Sequence, residues 1–165
     1  MASTIRDLLS FIVRSYPHKG DLSKGRVTKL VYLSDWRHAL TEGCQITPIR
    51  WKFDNFGPFV WDVYETAVKY EDLFVIRETT NMFGTDKTLI LASDEDHPPN
   101  LKKSEKAAAR HVIKTTSQMN WDDFIGLVYS TYPVLASERY TYLDLVALSK
   151  EYKKTEIYQG RAAFA

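Results

Sequence analysis

The sequence predicts an α+β fold: one mostly α-helical domain of about six helices with a small antiparallel β-sheet of about three strands. Three observations point there. Ile5, Leu8, Leu9, Ile12, Val13 and Tyr16 recur at helical spacing and define a helix with one apolar stripe. Ile49, Trp51 and Phe53 alternate with Arg50, Lys52 and Asp54, the period of two that belongs to a half-buried strand. Leu73 to Arg77 and Lys87 to Ala92 are β-prone runs separated by Asn81, Gly84 and Asp86, residues that permit tight turns, so the runs should pair as a hairpin.

The elements follow in order. Thr4 and Asp7 form a capping box for the first helix, and Pro17 and Gly20 stop it. Asp21 or Ser23 caps a second helix, which turns Val27, Leu30, Val31, Ser34 and His38 to one side and ends at Gly43. The strand near residues 49–54 is broken by Gly57-Pro58, and Pro58 opens a third helix with Val60, Val63, Tyr64, Ala67 and Val68. After the hairpin, the acidic, proline-broken stretch from Ser93 to Asn100 is a surface loop. A fourth helix spans about 104–117. Asn120 caps a fifth that Pro133 ends, and Thr141 with Asp144 repeats the capping-box spacing ahead of a sixth reaching about Tyr152. The 165 residues suit one core, so the domain is expected over 1–153 with a tail over 154–165. The tail's final small and apolar residues, ending in Phe164 and Ala165, are of the kind unfoldase-proteases accept as degradation signals.

Composition narrows the function. With 22 Lys and Arg against 21 Asp and Glu, the chain has no long-range attraction to phosphates, which argues against nucleic acid. Its single cysteine precludes an internal disulfide, and no stretch approaches a membrane helix in length and apolarity, so the cytoplasm is expected. His18, His38, His97 and His111 lie far apart with no metal-ligand spacing, and no phosphate loop, dinucleotide fingerprint or nucleophile elbow occurs. No enzyme, cofactor or metal is therefore expected. Asp35-Trp36-Arg37-His38 reads as a solvated helix face around one buried aromatic, Cys44 as a small packed thiol, and Asp94 to Asp96 as a solvated acidic loop. An alternative is a winged-helix-like nucleic-acid-binding regulator using Arg50, Lys52, Lys102, Lys103, Lys106 and Arg110.

Lys29-Leu-Val-Tyr-Leu-Ser-Asp-Trp, then Trp51-Lys-Phe-Asp-Asn-Phe-Gly-Pro, then Val63-Tyr64 together resemble the Panacea domain family, the socA-type antitoxin domain. The likeness is clearest over residues 24–70. The sequence departs from the pattern at Phe59, which stands between Pro58 and Val60, and in lacking a Pro-Trp pair near Thr131-Tyr132-Pro133. The resemblance implies an antitoxin of a bacterial or phage toxin-antitoxin system that neutralises a cognate toxin by direct protein contact. It also implies an adaptor role, delivering the toxin to a cellular AAA+ protease. Specific interfaces need a few desolvated aromatic or arginine anchors. Tyr32, Trp36 and Arg37 on the second helix, with Lys52, Asn55 and Phe56 before the Gly-Pro turn, are the expected toxin contacts. Trp51, Phe53 and Tyr64 are expected in the core.

Overall fold

A computed structural model describes residues 4–155, so the proposed degradation signal lies outside the described residues. Their order is α1 (Ile5–Ser15), a 3-10 turn (Lys19–Asp21), α2 (Lys24–Glu42), β1 (Trp51–Asp54), β2 (Gly57–Pro58), α3 (Asp62–Lys69), β3 (Phe74–Thr80), β4 (Asp86–Ala92), α4 (Lys103–Thr116), α5 (Trp121–Ser130), α6 (Tyr132–Ala136), β5 (Tyr142–Leu143) and α7 (Leu145–Lys153). The class is α+β, as expected. The cap residues read from the sequence do cap: Thr4, Ser23 and Asn120 accept from the backbone N–H three residues on. Gly43 ends α2 at φ +80°, a left-handed conformation that glycine adopts without steric cost.

The sheet differs from expectation. Strands form two antiparallel sheets, one ordered β2-β1-β5 and the other the β3-β4 hairpin. Gly57-Pro58 does not simply end β1. Gly57 sits at φ +99°, which folds the chain back so that Phe53 pairs with Pro58 and Asp54 with Gly57. Trp51 and Lys52 pair with Leu143 and Tyr142 on the other edge. Pro133 also has a different role: α5 ends at Ser130 with Thr131 as its C-cap, and the proline occupies the first turn of α6, where its missing N–H costs nothing. Asp144 alone caps α7, while Thr141 Oγ1 donates to the Glu138 carbonyl.

The core is built around α2. The helix packs against α1, α3, α4, α7 and β4, so most of its circumference is buried, including Leu30, Val31, Tyr32, Leu33 and Trp36. A helix surrounded on so many sides must satisfy its polar side chains internally. Asp35 is fully buried and accepts from the backbone N–H groups of Ile46 and Thr47 (2.9 and 3.0 Å), from Thr47 Oγ1 (2.6 Å) and from Trp51 Nε1 (2.9 Å). Burial pushes its carboxyl up to about 6, against the opposing pull of these hydrogen bonds, so it is ionised at neutral pH. This carboxylate fixes the segment leading into β1. Arg26 is the second buried anchor. Its guanidinium donates to the Tyr16 hydroxyl and to the carbonyls of Thr116 and Met119, and lies 4.4 Å from the Phe124 ring centroid, tying α1, α2 and the α4–α5 connection together. Residues 35–38 are therefore not a solvated face: Asp35, Trp36 and His38 are buried and only Arg37 is half-buried.

Candidate functional site

The first two turns of α2, the β1–β2 turn and the start of α5 converge on Lys29. Helical periodicity carries Lys29 under the turn, where its Cε and the Tyr129 ring fill the space a Cβ on Gly57 would approach, each 3.6 Å away. Glycine at 57 answers the positive φ of the turn, since a Cβ there would meet the lysine stem and the Tyr129 ring only at ordinary contact distance. Lys29 is only 3% exposed, and its Nζ lies 5.7 Å from the centroid of the Phe59 ring. Among the described residues its ammonium has no hydrogen-bond acceptor and no ion-pair partner. Desolvation lowers its pKa to about 8, with the more distant negative charge of Asp54 opposing the shift.

The lysine opens into a cavity of about 280 Å³ lined also by Asp54, Asn55, Phe56, Phe59 and Trp121. Trp121 separates it from a larger cavity of about 570 Å³ bounded by Arg26, Lys87 and the tip of the β3-β4 hairpin, Asn81 to Phe83. Large apolar side chains crowd this one surface. Met82 and Phe83 are 91% and 84% exposed at the hairpin tip, Trp121 47% in the middle, and Phe56 and Trp61 79% and 54% on the far side. Phe59 and Trp61 meet edge to face at 5.3 Å, and Lys24 Nζ lies 4.8 Å from the Trp61 ring and 4.9 Å from Tyr64. Aromatic groups held at such exposure, with a desolvated cation among them, suit the capture of another polypeptide.

The structure brings two of the expected contact residues, Asn55 and Phe56, to this surface; Asn55 is held there by the Tyr140 hydroxyl, 2.6 Å from its Oδ1. Tyr32 and Trp36 require correction as surface anchors. Both are fully buried, because α2 is covered on more sides than a one-striped helix would be. The Tyr32 hydroxyl bonds Thr131, and its ring meets Trp51 edge to face at 5.5 Å. Arg37 is half-buried towards α4, beside His111, whose pKa it helps lower after the larger effect of burial. Lys52 is half-buried on β1 opposite Tyr142 and does not line the groove. Trp51 and Phe53 are in the core as expected, with Tyr64 packed at its edge.

Sequence reasoning missed Lys29, Phe59, Trp61, Trp121, Met82 and Phe83. One signal was available: Met82 and Phe83 occupy a hairpin tip, where polar residues are the norm. Cys44 is exposed, not packed, and its Sγ is 3.8 Å from His38 Nδ1. That nitrogen lies 2.7 Å from the Cys44 carbonyl oxygen and Nε2 lies 3.0 Å from Ser104 Oγ, so the ring staples the end of α2 to α4. Among the described residues no group of three or more His, Cys, Asp or Glu side chains could hold a metal ion, and no helix is long and apolar enough to cross a membrane.

The family model described as antitoxin SocA-like, Panacea domain, matches residues 27–133, more than half of the chain. No curated protein and no solved structure matches. The matched segment contains Lys29, the β1–β2 turn, the β3-β4 hairpin tip and Trp121, that is, the exposed apolar side chains of this face, while Asp21, Ser23, Gly25 and Arg26, which also line the two cavities, precede it. The chain belongs to the SocA-like antitoxin family of Panacea domains.

Proposed function

We propose that the protein is the antitoxin of a bacterial or phage toxin-antitoxin system and neutralises a cognate toxin by direct contact through the aromatic face centred on Trp121. The observation that carries this reading is that the exposed aromatic face lies wholly within the segment matching an antitoxin family. A stable protein interface buries roughly 1,600 Å² in total, and its energy concentrates in a few aromatic or arginine side chains that become fully desolvated on binding. Phe56, Trp61, Met82, Phe83 and Trp121 supply such anchors, and Asn55 and Lys24 supply polar groups between them. Binding is sufficient for neutralisation, so the reading is non-enzymatic. Toxin and antitoxin would meet in the cytoplasm, where a AAA+ protease could receive the bound toxin.

The test is co-expression with the adjacent reading frame. That frame should arrest growth alone and be harmless with this chain, and Phe56→Asp or Trp121→Asp should abolish the rescue while the variant remains folded. A harmless neighbour, or rescue untouched by both substitutions, contradicts the reading. Salt-sensitive DNA binding that accounts for rescue without a complex would favour a nucleic-acid regulator instead.

A further inference from the structure

We infer that the groove beneath the β1–β2 turn is a carboxylate-accepting subsite, in which Lys29 receives an Asp or Glu side chain of the bound toxin; this rests on the antitoxin reading above. Lys29 as a residue is 3% exposed and its ammonium has no acceptor among the described residues, so the cation has given up part of its hydration without gaining a hydrogen bond, which is costly. A methionine would fill the same volume without that cost. The ammonium nevertheless sits at the head of an open groove of about 280 Å³ instead of being sealed in the core. Phe56, Phe59 and Trp121 form apolar walls that would exclude water from an incoming group and so strengthen its attraction to the cation.

Charge decides between occupants. Lys29 and Asp54 are the charged groups lining the groove, and Asp54 is the more exposed of the two. An entering carboxylate pairs with the desolvated ammonium and is opposed weakly by the better-hydrated Asp54. An entering cation would meet the reverse, a weak attraction at the rim and a strong repulsion inside. The groove therefore takes an anion, and its apolar walls suit one carried on a polypeptide with hydrophobic neighbours.

The probe is the toxin defined by the co-expression assay, titrated calorimetrically against the full chain. Lys29→Met should weaken binding at least tenfold while leaving the free antitoxin folded. Asp54→Asn, which breaks no hydrogen bond in the structure, should tighten binding severalfold. Among Asp→Asn and Glu→Gln substitutions in the toxin, one should weaken binding to the native chain and have no further effect on Lys29→Met. Binding within twofold for Lys29→Met overturns the subsite, as does weaker binding by Asp54→Asn. If Lys29→Met does not fold, Asp54→Asn decides by the same criterion, and a toxin series in which no Asp→Asn or Glu→Gln substitution weakens binding to the native chain overturns the subsite. Rescue that survives with affinity indifferent to both positions sinks the subsite and leaves the antitoxin reading standing; absence of neutralisation sinks both.

Discussion

Lys29 shows how one residue can be held against its own solvation. Its folded pKa of about 8 lies below the ordinary lysine value of 10.5, so between those values the folded chain binds fewer protons than the unfolded chain. Stability from this group is therefore reduced below pH 8 and recovered as the pH rises towards 10.5. The shift corresponds to at most about 3 kcal/mol. Urea unfolding of the native chain and of Lys29→Met at pH 7 and pH 10 should show the variant more stable at pH 7, with the gap narrowing at pH 10. An unchanged gap would place the ammonium in water. Asp35 is the opposite case, a buried charge with four donors within 3.0 Å. Asp35→Asn turns an amide NH₂ towards some of those donors and should cost about 3 kcal/mol in denaturant unfolding, with a change in Trp51 fluorescence. Neither burial was legible in the sequence. A lysine or aspartate on a helix is ordinarily solvated, and only tertiary packing reverses that here: the β1–β2 turn and Tyr129 lie against Lys29, and the segment leading into β1 closes over Asp35.

Elements with strong local signals were legible, and those made by tertiary pairing were not. The caps at Thr4, Ser23 and Asn120, the left-handed stop at Gly43 and the β3-β4 hairpin are written in short-range chemistry, and each stands where the sequence puts it. The strands β2 and β5 have two residues each, too few for any periodicity, and exist only because β1 lies between them. The helix α6 is a single turn behind a proline, which reads as a stop until its N-terminal position is known. The turn from β1 to β2 also carries the groove. Gly57→Ala would force a side chain into φ +99° beside Lys29 and Tyr129. It should cost roughly 1–2 kcal/mol of stability and weaken toxin binding more than an equally destabilising change in α7. Equal binding losses from the two would detach the turn from function.

At the scale of the whole molecule, a net charge of +1 leaves recognition to local chemistry. Composition and the Lys29, Gly57-Pro58 and Val63-Tyr64 motifs were enough to reach the family, whose match extends to residue 133. They could not reach the proposed binding face, because Met82 and Phe83 come from a hairpin, Trp121 from α5 and Phe56 from the β1–β2 turn, segments far apart in the chain that meet only in the fold. On the antitoxin reading, this assembled face captures the toxin itself. Its most direct test is size-exclusion chromatography of the purified antitoxin mixed with the product of the adjacent toxic frame, in native form and as Phe56→Asp. The native pair should elute as one complex, and the variant, folded by circular dichroism, should elute apart from the toxin. Neutralisation in cells with no complex from the native pair, or a complex indifferent to Phe56→Asp and Trp121→Asp alike, would contradict it.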